Sequence, residues 1–187
     1  MIVDLHFVAP GLAVGARFPM EAAARLAREH GIRRVVDVRV EACDDADVLR
    51  SHGIELLHLP TEDTRAISQE MLRAGVEFVS AAIDEGERVL IHCQYGIGRS
   101  ALLALCVLVA RGDPPLDALA RAKDARPVVS PSPEQLRAFA EFAERLRRER
   151  GASWESPCPE ALAAIAYRHL RRDATPEEAR AASTGVT

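Results

Sequence analysis

Apolar positions along the chain fall into short β-branched runs alternating with longer amphipathic stretches. Residues 1–17 hold short apolar pieces broken by Pro10, Gly11 and Gly15, which predicts one or two edge strands. Pro19 to His30 reads as a helix stopped by Gly31, with proline near its first turn. IRRVVDVRV (32–40) predicts a buried strand, residues 44–52 a short helix ended by Gly53, and IELLHL (54–59) a strand ended by Pro60. Thr61 to Ile67 follows neither period and reads as a loop. Met71, Leu72, Val76, Val79, Ala82 and Ile83 form one stripe of a helix over about 68–85, stopped by Gly86. RVLIH (88–92) predicts a buried strand, 93–99 a loop, and 99–111 an apolar helix. Helices near 114–125 and 133–149 complete the body.

This alternation predicts an α/β fold with a mostly parallel central sheet flanked by helices. In such sheets the working site lies at the carboxyl ends of the strands. Thr61–Ile67 and Cys93–Arg99 both follow strands directly, so both fall on that edge. After Arg150 the character changes. GASWESPCP is linker-like, Glu160 to Arg172 predicts one extra amphipathic helix, and Asp173 to Thr187 is a small-residue polar tail whose last dozen residues are expected to be poorly ordered. The expected organisation is therefore a catalytic domain over 1–150 followed by linker, helix and tail over 151–187.

Composition narrows the function classes. With 48% hydrophobic and 28% charged residues the chain has the material for a sizeable core. A net charge of −4 and a pI near 5.9 give no reason to expect nucleic acid or an anionic membrane as partner. The longest apolar run, Ala101 to Ala110, is about half of a membrane span. The N-terminal MIVDLHFVAPG lacks the basic and apolar regions of a signal peptide. Cys43, Cys93, Cys106 and Cys158 lie far apart, with no metal-like spacing. A cytoplasmic protein with reduced thiols is expected, with no cofactor and no metal.

The chemistry concentrates in His92-Cys93-Gln94-Tyr95-Gly96-Ile97-Gly98-Arg99-Ser100. A loop between a strand end and a helix N-terminus points successive backbone N–H groups into one concavity, to which the helix dipole adds positive charge. Gly96 and Gly98 allow positive φ and close approach. Arg99 offers a planar bidentate fork suited to phosphate oxygens. The same field lowers the pKa of Cys93, and a thiolate beneath a bound phosphoryl group is placed for in-line attack. Alone, Cys93 would read as a small core residue and Arg99 as a surface charge at a helix start. Five residue types fixed over nine positions arise by chance on the order of 10⁻⁷ per start position, which favours a site.

The pattern His-Cys-x-x-Gly-x-Gly-Arg-Ser, between a strand and an apolar helix, resembles the signature loop of the Cys-dependent protein phosphatases, in the form of the dual-specificity branch. The resemblance covers about residues 5–147. It implies that Cys93 is the nucleophile and forms a phosphocysteine. Arg99 would clamp the phosphate, Ser100 would help cleave the intermediate, and His92 would support Cys93. Gln94, Tyr95, Gly96, Ile97, Gly98 and Arg99 would contact the substrate phosphate. The family's general acid is an Asp about thirty residues upstream, which points to Asp63 in LPTEDTRAI, with Glu62 as local competitor; a turn residue or N-cap is the plainer reading of Asp63. ARPVVSPSPEQ (125–135) resembles the segment that packs behind the signature loop. Ser130, Ser132 and Gln135 would touch the loop there, although helix capping by Ser132 explains the sequence as well. Asp37 and Arg39 read either as support for the site or as a salt-bridged scaffold. Some relatives protect an oxidised nucleophile as a disulfide, and Cys43 is the best-placed partner. Cys106 reads as core.

The implied activity is phosphomonoester hydrolysis on a phosphorylated protein or small phosphomonoester, inhibited by phosphate-like oxyanions. The loop has no lysine at its variable positions, which suits a singly phosphorylated substrate. A rhodanese-like sulfurtransferase and a phosphate-binding module without catalysis are the alternatives. Asp63 and the GxGRS ending disfavour the first, and the joint presence of Cys93, Arg99 and Asp63 disfavours the second.

Overall fold

In a computed structural model, which describes residues 3–171, one five-stranded sheet carries the fold. Its strands are β1 (Leu5–Ala9), β2 (Leu12–Gly15), β3 (Ile32–Arg39), β4 (Glu55–Thr61) and β5 (Arg88–His92), ordered β1-β2-β5-β3-β4. Only β1 runs antiparallel, against β2; every other pairing is parallel. Of the two N-terminal strands only β1 is an edge. The buried β2 lies between β1 and β5, because its four residues are apolar or small enough to be covered on both faces.

Strand alternation divides the core in two. Leu90 of β5 points with Ala13, Val35 and Ile32 toward α1 (Ala23–Arg28) and α2 (Ala46–Ser51). Val89 and Ile91 point the other way, into the larger cluster under α3 (Gln69–Asp84), α4 (Arg99–Ala110), α5 (Pro115–Ala125) and α6 (Pro133–Arg150). The central element is α4, buried from Arg99 through Val109, as an all-round apolar helix must be.

Three boundaries differ from expectation. The segment predicted as a helix from Pro19 opens as a 3-10 turn, Met20–Ala22, before α1. Pro60 does not end β4. That strand is the sheet edge, where a missing N–H costs no ladder bond, and it runs to Thr61 through a bulge opposite Asp37 and Arg39. The helix expected over 160–172 is shorter: α7 (Pro159–Ala166) ends at Tyr167, and a separate 3-10 turn covers Arg168–Arg171. Leu162 and Ala166 are buried in the larger cluster, with Trp154 packed against it. Arg172 and the tail from Asp173 lie outside the described residues. Among the described residues no helix is long and apolar enough to cross a membrane.

Candidate active site

The loop 93–98 leaves the carboxyl end of β5 and enters the N-terminus of α4. Four of its carbonyls are tied away from its hollow. Gln94 O accepts from Arg17 N (3.3 Å), Tyr95 O from Arg126 Nη2 (3.1 Å), Gly96 O from Arg126 Nε (2.9 Å), and Ile97 O from Ser130 N (2.9 Å). A trans peptide points its C=O and N–H in opposite directions, so each tie turns the following N–H inward, from Tyr95 through Gly98. The nest is thus held from outside by three distant residues, Arg17, Arg126 and Ser130. Arg126 is itself fixed by a bidentate pair with Asp4 (2.6 and 2.7 Å).

The two glycines serve different ends. Gly96 has φ 67, and a Cβ there would lie 2.6 Å from the Gly15 backbone. Gly98 does not adopt positive φ; it sits at −116 as the N-cap of α4. A Cβ there would come 2.5 Å from Gln135 Oε1, so a larger residue would have to displace that side chain.

Cys93 Sγ lies at the floor, 3.3 Å from Ser100 Oγ and accepting from Gly96 N at 3.3 Å. Burial, the largest influence, pushes the thiol up. The Ser100 hydroxyl and the N–H groups of Ser100, Tyr95 and Gly96 outweigh it and hold the thiol below its ordinary value. His92 is fully buried, its ring 5.0 Å from that of Phe18, and its Nε2 lies 2.8 Å from Asp44 Oδ2. An ionised carboxylate only accepts, so Nε2 carries the hydrogen. Asp44 accepts from Arg39 Nη2 (2.7 Å), and Arg39 forks onto Asp37 (2.9 Å twice). Asp37 and Arg39 are therefore a buried scaffold beneath His92.

Arg99 is only 1% exposed, and its geometry corrects the expected fork. Nη1 and Nη2 both donate to the Glu41 carboxylate at 2.8 Å, and Nη1 also donates to Thr61 O (2.8 Å). The terminal edge thus faces the protein. Nε is buried with no partner among the described residues, and Nη2 also lies 3.2 Å from Asp63 Oδ1, so an anion on the edge formed by Nε and Nη2 would meet the Asp63 carboxylate. The Arg99 hydrogen bonds draw Glu41 down to about 2. A depressed carboxyl contributes stability above its ordinary range, near pH 4.5, and loses it as pH falls toward 2.

Asp63 lies in the loop after β4, exposed, with Oδ1 3.2 Å from Arg99 Nη2. Among the described residues Asp63, and not Glu62, makes this pairing. The loop is pinned by Ser132 Oγ donating to Thr64 O (2.7 Å) and Gln135 Nε2 donating to Arg65 O (2.9 Å). Ser132 and Gln135 also form a capping box on α6, so both readings of that segment hold. Ser130 touches the nest through its N–H. Tyr95 and Ile97 are exposed on the rim, and Gln94 is half-buried.

All four cysteines are free. Cys43 is exposed and its Sγ lies 3.5 Å from Asp44 O; burial and the Asp37 and Asp44 charges push it up. Cys106 is buried within α4, and burial pushes it well up. Cys158 N-caps α7.

Sequence reasoning missed Glu41 and Asp44. Both stand just beyond β3 on the edge that singled out Asp37 and Arg39, which was the available signal. It also left unnamed the individual role of Arg126, which the 125–135 segment contained.

Residues 19–145 match the family described as dual specificity phosphatase, catalytic domain. The human Dual specificity protein phosphatase 16 is 30% identical over 131 residues, covering 68% of this chain and 19% of that protein. The mouse Dual specificity protein phosphatase 2 is 34% identical over 104 residues, covering 50% of this chain and 33% of that protein. The chain thus spans a fifth to a third of the length of these relatives. Among solved structures, Tk-PTP in the active form superposes with a TM-score of 0.71 at 28% identity, covering 78% of this chain and 99% of that one. PTPMT1 in complex with PI(5)P gives 0.73 at 24% identity, covering 79% and 99%, a likeness of fold alone. The family match spans well over half of the chain and includes the whole loop from His92 to Ser100; this chain belongs to the dual specificity phosphatase catalytic-domain family, the Cys-dependent protein phosphatases.

Proposed function

We propose that this domain hydrolyses phosphomonoesters through a phosphocysteine on Cys93. The observation that carries the reading is a thiol held toward ionisation at the floor of inward N–H groups, beside an unpartnered buried Arg99 Nε. The Cys93 thiolate attacks phosphorus in line, forming S–P as the ester P–O bond breaks. Asp63, protonated, delivers its proton to the departing oxygen. In the second half Asp63 takes a proton from water, whose oxygen attacks phosphorus. The S–P bond then breaks, and Ser100 Oγ, 3.3 Å from Sγ, donates to the thiolate as it reforms. Glu41 fixes the guanidinium so that Nε and Nη2 meet two phosphate oxygens as charge spreads over them. The substrate is a phosphorylated protein or a small phosphomonoester. A rim of Tyr95 and Ile97 without lysine suits a single phosphate, and vanadate or tungstate would compete for the nest.

Asp63→Asn tests the assignment of the acid. For an alkyl phosphate, whose alkoxide departs poorly, kcat is expected to fall about 10²-fold. For an aryl phosphate with an acidic phenol the loss is expected to be much smaller, because that group leaves without a proton. Glu62→Gln is the control. If Glu62→Gln shows the leaving-group dependence and Asp63→Asn does not, the acid is Glu62.

A further inference from the structure

The C-terminal segment beyond the family match reaches back to the support of the signature loop. Tyr167 Oη donates to Pro131 O at 2.6 Å, and Ser130 Oγ donates to Ala166 O at 3.4 Å. Lys123, the chain's only lysine, is 1% exposed on α5. Its ammonium donates to Val129 O (2.7 Å), Ser130 Oγ (3.1 Å) and His169 Nδ1 (3.0 Å). Three acceptors in three directions use every hydrogen of an ammonium. The planar fork of an arginine would not serve them, which fits a lone lysine in a chain otherwise rich in arginine. Leu162 and Ala166 anchor α7 in the core under these bonds.

The bonds of Tyr167, Ala166 and Lys123 meet at residues 129–131, and Ser130 N holds Ile97 O at 2.9 Å. That bond orients the Ile97–Gly98 peptide and turns Gly98 N–H into the nest. We infer that residues 159–169 form a strap that sets the signature loop through Ser130, with Tyr167 and Lys123 as positioning residues for phosphate binding. The inference rests on the reading of the loop as a phosphate site, but not on turnover. The strap adds no group that touches phosphate. It fixes the backbone that does, so its loss registers first in oxyanion affinity and thiolate stability.

The test uses the full chain. Tyr167→Phe keeps the ring packing and removes only the bond to Pro131; Ser130→Ala keeps the N–H and removes the hydroxyl linking Lys123 to Ala166. Tungstate affinity is measured by calorimetry, and the pH midpoint of Cys93 alkylation by iodoacetate is followed by peptide mass spectrometry, which separates it from exposed Cys43 and Cys158. Both variants are expected to bind tungstate about three- to tenfold more weakly, with the alkylation midpoint moved to higher pH. A lowered melting temperature with wild-type tungstate affinity and alkylation midpoint would overturn the strap as a positioning device and leave it a stability element. If the wild-type chain binds no tungstate, the phosphate-site reading falls with it. If wild type binds and both variants match it, the strap alone falls.

Discussion

Cys93→Ser is expected to abolish turnover of every phosphomonoester while tungstate binding survives. The nest is made of backbone N–H groups whose directions are set by Arg17, Arg126 and Ser130, and none of these ties uses the sulfur. A hydroxyl in the same place is not ionised near neutral pH, so the nucleophile is lost while the anion site remains. Single-turnover assays and calorimetry on one sample check both halves. Turnover at the wild-type rate would remove the mechanism. The thiol also leaves a mark on stability. Its value is lowered on folding, so the stability it lends is fully present above the ordinary thiol range and is lost as pH falls through the depressed value. Wild type and Cys93→Ser should therefore diverge in their pH dependence of unfolding only on the alkaline side of that value.

Arg99→Lys is expected to lower kcat/KM by about 10³-fold, because an ammonium cannot grip Glu41 on one edge and phosphate on another. Removal of the guanidinium also frees Glu41, whose carboxyl is held down to about 2 chiefly by Arg99. Its titration, followed by NMR, should return toward the ordinary carboxylate range. A near-normal kcat/KM would mean that another arginine, such as exposed Arg17 beside Gln94, does the clamping.

The candidate site and its family were legible in the sequence because the loop packs Cys93, two glycines, Arg99 and Ser100 into nine contiguous positions. Asp63 was singled out through the resemblance, thirty residues before Cys93, and the fold sets it 3.2 Å from Arg99 Nη2. What could not be read was orientation and through-space pairing. Nothing in VRVEA distinguishes Glu41 from any exposed carboxylate until β3 and α4 bring it against Arg99, and only then does the guanidinium turn its terminal edge inward. Arg126 reads as a helix-end charge, yet it ties two carbonyls thirty residues earlier in the chain. Periodicity placed the buried strands well because burial on both faces demands apolar runs. It failed at Pro60, since only the sheet order shows β4 to be an edge. It failed again at Tyr167, where the backbone leaves the helical region and α7 ends.

The outward ties on residues 94–97 have a consequence for how the chain matures. Their donors come from residue 17 and from residues 126–130, so the hollow closes only after β2, β5, α4 and α5 have assembled. Contacts of such sequence separation carry a loop-closure cost that the assembled core must repay. A nascent or partly folded chain therefore carries Cys93 as an ordinary, sluggish thiol. Reactivity of Cys93 toward electrophiles is expected to follow the assembled tertiary structure rather than the presence of β5 and α4 alone.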